Sequence, residues 1–148
     1  MTFMEKLRLT LEVDEGIVFE IYDDHLGHKT TGIGHLIIET DREFGMPVGT
    51  PVDAERVTEL FEADIASVLR DVEYLFPDFD KLPDQAQVTC ASLMFQLGLP
   101  RYTLFSKHFR CIELGDWYGA ARELRNSRLY QQTPNRTERH AQRLESIA

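Results

Sequence analysis

From Val57 to Phe76 the apolar residues Val57, Leu60, Phe61, Ile65, Val68, Leu69, Val72, Leu75 and Phe76 recur at three- and four-residue steps. That is the spacing of one helical face. Thr50, Pro51 and Asp53 read as its start: a capping residue, a proline at the first helical position and an acid that completes a capping box. Phe76-Pro77 reads as its end, because the residue before proline avoids the helical region. Roughly 25 residues at 1.5 Å each make a rod of about 38 Å, long enough to bridge two lobes. Asp64 interrupts its apolar face, and a carboxylate there needs a partner.

The flanking segments differ in kind. Thr2 and Glu5 form a capping box ahead of Phe3, Met4, Leu7 and Leu11, which share a face, and Gly16 is a natural stop. Residues 17–22 (IVFEIY) are β-branched and aromatic and predict a strand. Gly27 marks a turn, and residues 28–38 predict one or two further strands broken by Gly32 and Gly34. Residues 39–49 read as a loop. Beyond the long helix, residues 83–98 run from a proline to a glycine and are apolar nearly all round, which predicts a buried central helix. Met94 and Leu97 read as core. Residues 102–114 and 116–126 predict two more helices, the second capped by Asp116. Thr133-Pro134 opens a last one. The class is α+β: a small antiparallel sheet lobe (1–50), a connecting helix (50–76) and a helical lobe (77–148).

Nine Phe in 148 residues argue for a packed core rather than disorder. Cys90 and Cys111 lack metal or redox spacing and read as free thiols. Residues 1–84 carry 7 Lys/Arg against 20 Asp/Glu, a net −13, and residues 85–148 carry 9 against 5, a net +4. An acidic first half disfavours duplex nucleic acid as the main partner, while the basic second half permits an anionic polymer to lie against it. No apolar run is long enough for membrane insertion.

The segment DEGIVFEIYDDHLGHKTTGIGHL holds the chemistry. Glu15 precedes Gly16, Asp24 follows after eight residues, and Thr30 after five more. Cleaving a glycosidic bond takes two carboxyl groups flanking one sugar, one to protonate the leaving oxygen and one to stay ionised. Acids at this spacing also arise by chance in so acidic a chain. Asp23 competes with Asp24, and strand alternation turns the two to opposite faces. Thr30 offers a hydroxyl that helps Asp24 hold a water. His25, His28 and His35 match no metal-ligand spacing, so no metal site and no cofactor is expected. His35 ends the TGIGH segment and is the natural partner for Asp64. That ion pair would tie sheet to helix.

The chain resembles the phage lysozymes (glycoside hydrolase family 24). The likeness rests on Glu15, Asp24, Thr30 and the block Gly32–Leu36 (GIGHL), on SLMFQLG at 92–98, and on SRLYQQTPNR at 127–136. It covers nearly the whole chain. It implies a lysozyme-like two-lobe fold and an endolysin that cuts the β-1,4 bond between N-acetylmuramic acid and N-acetylglucosamine with inversion. In that frame Glu15 is the general acid with Arg136 as charge partner, Asp24 and Thr30 position the water, Leu36 and Phe95 line the saccharide cleft, and His35 and Asp64 match a buried ion pair of the family. The resemblance also implies a monomer acting on peptidoglycan, with no nucleic-acid partner and no membrane insertion. The N-terminal segment does not read as a signal peptide, so the expected route runs from the host cytoplasm through a holin-like pore. His108 and Glu123 replace neutral polar cleft residues, and no binding role passes to them. Two other readings compete: a lytic transglycosylase, against which Asp24 and Thr30 argue, and a non-catalytic wall-binding protein on the same scaffold.

Overall fold

The computed structural model describes residues 1–147. Its elements are α1 (Phe3–Glu15), β1 (Val18–Asp23), β2 (Lys29–Gly32), β3 (His35–Leu36), α2 (Ala54–Leu75), a 3-10 turn (Phe79–Lys81), α3 (Asp84–Tyr102), α4 (Ser106–Leu114), α5 (Trp117–Arg125), α6 (Arg128–Gln132) and α7 (Pro134–Glu145). They sort into two units. One holds residues 8–67, and the other holds residues 1–7 with 68 onward. α1 and α2 each contribute to both.

In the first unit the three strands form an antiparallel sheet in the order β1-β2-β3. The predicted capping box opens α1: the Glu5 N–H donates to Thr2 Oγ1 at 3.1 Å and the Thr2 N–H to Glu5 at 3.0 Å. Leu11, Ile21, Ile33, Val57, Leu60, Phe61 and Ile65 are buried. Each such side chain contributes about 1.5–3 kcal/mol on leaving water. Arg8 clamps α1 to α2, donating to Thr58 at 2.9 Å and lying over the Phe61 ring at 5.7 Å.

The start of α2 corrects the sequence reading. The helix begins at Ala54, not at Pro51. Residues 49–52 instead line the outer edge of β1: the Ile21 N–H donates to Thr50 O at 2.9 Å and the Val52 N–H to Phe19 O at 2.9 Å. Pro51, which has no N–H to give, faces Glu20 there, the kind of edge position proline tolerates. The cap is Asp53, which accepts from the Arg56 N–H at 2.8 Å. At 22 residues α2 still rises about 33 Å.

In the second unit Ala86, Val88, Leu93, Met94, Ile112, Leu124 and Leu144 make the core. The predicted stop at residue 98 is a break rather than an end. Gly98 takes φ +75°, outside helical space, and a further turn then carries α3 to Tyr102. Tyr102 is fully buried among Phe76, Phe105, His108 and Phe109. α4 therefore starts at Ser106, four residues later than its apolar pattern suggests. Asp116 caps α5 as predicted, accepting from the Gly119 N–H at 2.9 Å. α6 went unpredicted, because five residues are too few to show a helical period. Arg125 joins α5 to α7 with paired bonds of 2.8–3.0 Å to Glu138 and Glu145. These bonds hold the Glu138 carboxyl down at about 2.

Replacing Asp53 by Ala removes the α2 cap and is expected to lower stability by about 1 kcal/mol. Urea denaturation of the two proteins checks this, and equal midpoints would contradict the assignment.

Candidate active site

Glu15 is the last residue of α1 and is half-buried. The turn between β2 and β3 brings the backbone of Gly34 against it. A Cβ on Gly34 would lie 2.8 Å from Glu15 Oε1 and 3.1 Å from its Cβ and Cδ. A side chain there would push Glu15 aside, and φ of +61° independently favours glycine. The GxGH segment thus supplies the surface on which the Glu15 carboxylate rests.

Asp24 lies just past the end of β1. Strand alternation therefore does not aim it, contrary to the sequence argument; its own hydrogen bonds do. Oδ1 accepts from the His28 N–H at 2.8 Å and the Leu26 N–H at 2.9 Å, and Oδ2 lies 3.6 Å from His28 Nδ1. The His28 N–H, opposed by burial and joined by the Leu26 N–H and the two imidazoles of His28 and His25, holds the carboxyl below the ordinary aspartate value. Asp23 is exposed and pairs with Lys29 at 2.8 Å.

Thr30 is buried in β2, and its hydroxyl donates to His28 O at 3.0 Å. Its proton is committed and its lone pairs remain. Leu36 stands opposite Thr30 in the β2–β3 register and is 52% exposed. One face of the sheet therefore carries a buried hydroxyl beside an open apolar surface.

His35 holds the region together. Nδ1 lies 2.7 Å from Asp64 on α2, as expected from sequence, and Nε2 lies 2.8 Å from Asp41. Burial alone would push this imidazole down; hydrogen bonds to Asp64 and Asp41 more than offset that and hold it above 6.5. Burial would push Asp41 up, but the Ile38 N–H at 2.9 Å and His35 bring it below 3.8. The Asp41 contact was missed, although an imidazolium has two N–H groups and Asp64 satisfies one.

Phe95 and Arg136 belong to the other unit. Phe95 is half-buried on α3 ahead of the Gly98 break, and Arg136 is half-buried in the first turn of α7. His108 is no surface group. It is 1% exposed, its Nδ1 donates to Ala120 O at 3.2 Å, its Nε2 accepts from the Tyr102 hydroxyl at 3.1 Å, and burial pushes it down to about 4. Glu123 lines an open depression of about 450 Å³ with Leu104, Lys107 and Arg128. Cys90 and Cys111 are free, and burial pushes the Cys90 thiol up to about 12. Among the described residues no group of three or more His, Cys, Asp or Glu is placed to hold a metal ion, and no helix is long and apolar enough to cross a membrane.

Residues 8–67 thus hold both candidate carboxylates, the buried Thr30 hydroxyl and the exposed Leu36, and glycoside hydrolysis calls for two carboxyl groups. Comparison with known proteins gives the family. The phage lysozyme family model matches residues 12–140. The chain is 30% identical to a probable T4-type lysozyme 2 of Dictyostelium discoideum, over 92% of this chain and 91% of the relative. It is also 30% identical to a probable T4-type lysozyme 1 of the same organism, over 87% of each. The pre-baseplate central spike protein Gp5 of Enterobacteria phage T4 is 30% identical over 94% of this chain, which spans 27% of that protein. This chain belongs to the phage lysozyme family.

The raised His35 value gives a signed expectation. Its pairing stabilises fully below pH 6.5 and fades as pH rises through the higher folded value. Asp41 contributes above pH 3.8 and fades as pH falls through its lower folded value. His35→Asn should therefore cost about 1.5–3 kcal/mol between these limits and clearly less once pH has risen through the raised folded value. Thermal melts across pH check this; a gap that does not change with pH would contradict it.

Proposed function

We propose that this protein is a muramidase: one lysozyme domain spanning 1–148 that hydrolyses the β-1,4 bond between N-acetylmuramic acid and N-acetylglucosamine of peptidoglycan with inversion, in the service of host-cell lysis. The observation that carries this reading is the contrast between two carboxylates of the same unit. Glu15 rests on the Gly34 backbone at a helix end, while Asp24 is kept ionised by two backbone N–H donors. The base of such a pair must stay ionised while it takes a proton from water.

In this mechanism Glu15 gives a proton to the glycosidic oxygen as its bond to the anomeric carbon breaks. Asp24 takes a proton from a water that attacks the same carbon from the opposite face. Thr30, with its own proton committed to His28 O, accepts the water's other hydrogen. Leu36 offers the exposed apolar surface for the ring. The family likeness extends the proposal to Phe95 as a saccharide contact and to Arg136 as a supporting residue. The protein then acts as a monomer on the wall and reaches it through a holin-like pore.

Residues 8–67 carry 4 Lys/Arg against 14 Asp/Glu, a net −10. Peptidoglycan bears carboxylates, so repulsion is strongest at low ionic strength and screened within about 8 Å at 0.15 M. The assay therefore covers a range of salt. Purified peptidoglycan should lose turbidity with the wild type, and Glu15→Gln and Asp24→Asn should each lower the rate at least about 100-fold. Product masses should show a reducing muramic acid. An anhydro sugar would establish a lytic transglycosylase, and absence of lysis at every salt concentration would leave only a wall-binding protein.

A further inference from the structure

Tyr22 stands on β1 directly opposite Thr30, and Thr30 stands directly opposite Leu36 on β3. Residues paired across strands share a face, so Tyr22, Thr30 and Leu36 form one row across the sheet, with Asp24 two residues beyond Tyr22. The ring is half-buried. Among the described residues the Tyr22 hydroxyl makes no hydrogen bond, whereas the Thr30 proton and Asp24 Oδ1 are already engaged. Burial, then the negative charges of Glu15 and Asp24, hold the phenol above its ordinary 10.0. It is therefore a protonated donor across the working range, and both carboxylates are near enough to act on it.

We propose that Tyr22 is a positioning residue of this site, its hydroxyl donating a hydrogen bond to the water that Asp24 deprotonates. The inference rests on the reading of Glu15 and Asp24 as the reacting carboxylates. A water in single displacement has four directions to satisfy. One hydrogen goes to Asp24 and the other to the free lone pairs of Thr30. One lone pair attacks the anomeric carbon. The second needs a donor, and Tyr22 is the neutral donor on the same sheet face. Tyr22 keeps its own proton throughout: the water's proton passes to Asp24, and the leaving oxygen takes its proton from Glu15. Fixing the fourth direction aligns the attacking lone pair, and small misplacements of a nucleophile lower rates steeply.

The test is Tyr22→Phe, which removes one oxygen and breaks no hydrogen bond to the described residues. The variant should melt with the wild type, keep KM for peptidoglycan fragments within about twofold, and lose about 10- to 100-fold in kcat. Unchanged kcat beside an active wild type would overturn the role of Tyr22 alone. A raised KM with unchanged kcat would also overturn it, making the phenol a sugar contact. If the wild type is inactive while Glu15 and Asp24 are intact, the reading of the two carboxylates fails, and this role falls with it.

Discussion

The arrangement of the site depends on one buried imidazole held between two carboxyl groups. β3 has two residues, His35 and Leu36, too few for a strand to hold itself by ladder bonds alone. His35 anchors it instead, gripping Asp64 on α2 and Asp41 in the following loop. The residue before it is Gly34, whose backbone supports Glu15, and the residue after it is Leu36, which faces Thr30. A single ring thus stands between the backbone that meets Glu15 and the leucine that pairs with Thr30. Pairing both nitrogens avoids leaving a buried N–H unsatisfied, which would cost about as much as the pair contributes.

Much of this was legible in the sequence, for reasons that differ by element. Local chemistry read well: the Thr2–Glu5 box, the Asp116 cap and the strand at residues 17–22 depend on neighbours in the chain. The match of His35 to Asp64 was legible because a carboxylate on an apolar helix face demands a partner. Tertiary choices were not. Thr50 and Pro51 carry a convincing helix start, yet the outer edge of β1 claims their backbone, and the helix waits for Asp53. Gly98 looked like an end, but burial of Tyr102 draws the chain through one more turn. Asp41 was hidden because nothing in its own surroundings marks it as a partner for a histidine six residues earlier.

The candidate site shows the same division. Spacing suggested Glu15, Asp24 and Thr30, but not what surrounds them. The device at Asp24 is a turn whose N–H groups converge on one oxygen, a pattern no residue count reveals. The device at Glu15 is an absence of side chain at Gly34. In the sequence Tyr22 reads only as a strand aromatic, and alternation along β1 does not say which residue of β2 it meets. Its significance came from register, which sequence leaves open, and from the two charges that reach it.

A single displacement by water, with Asp24 as base and Glu15 as acid, has one direct signature. The configuration of the first-formed reducing end, read by proton NMR before mutarotation, reports which face the water attacked. Inversion at a β-linked muramic acid predicts the α-anomer at the earliest times, decaying to the equilibrium mixture. Initial formation of the β-anomer would show retention, and the assignment of Asp24 and Thr30 to an attacking water would be wrong.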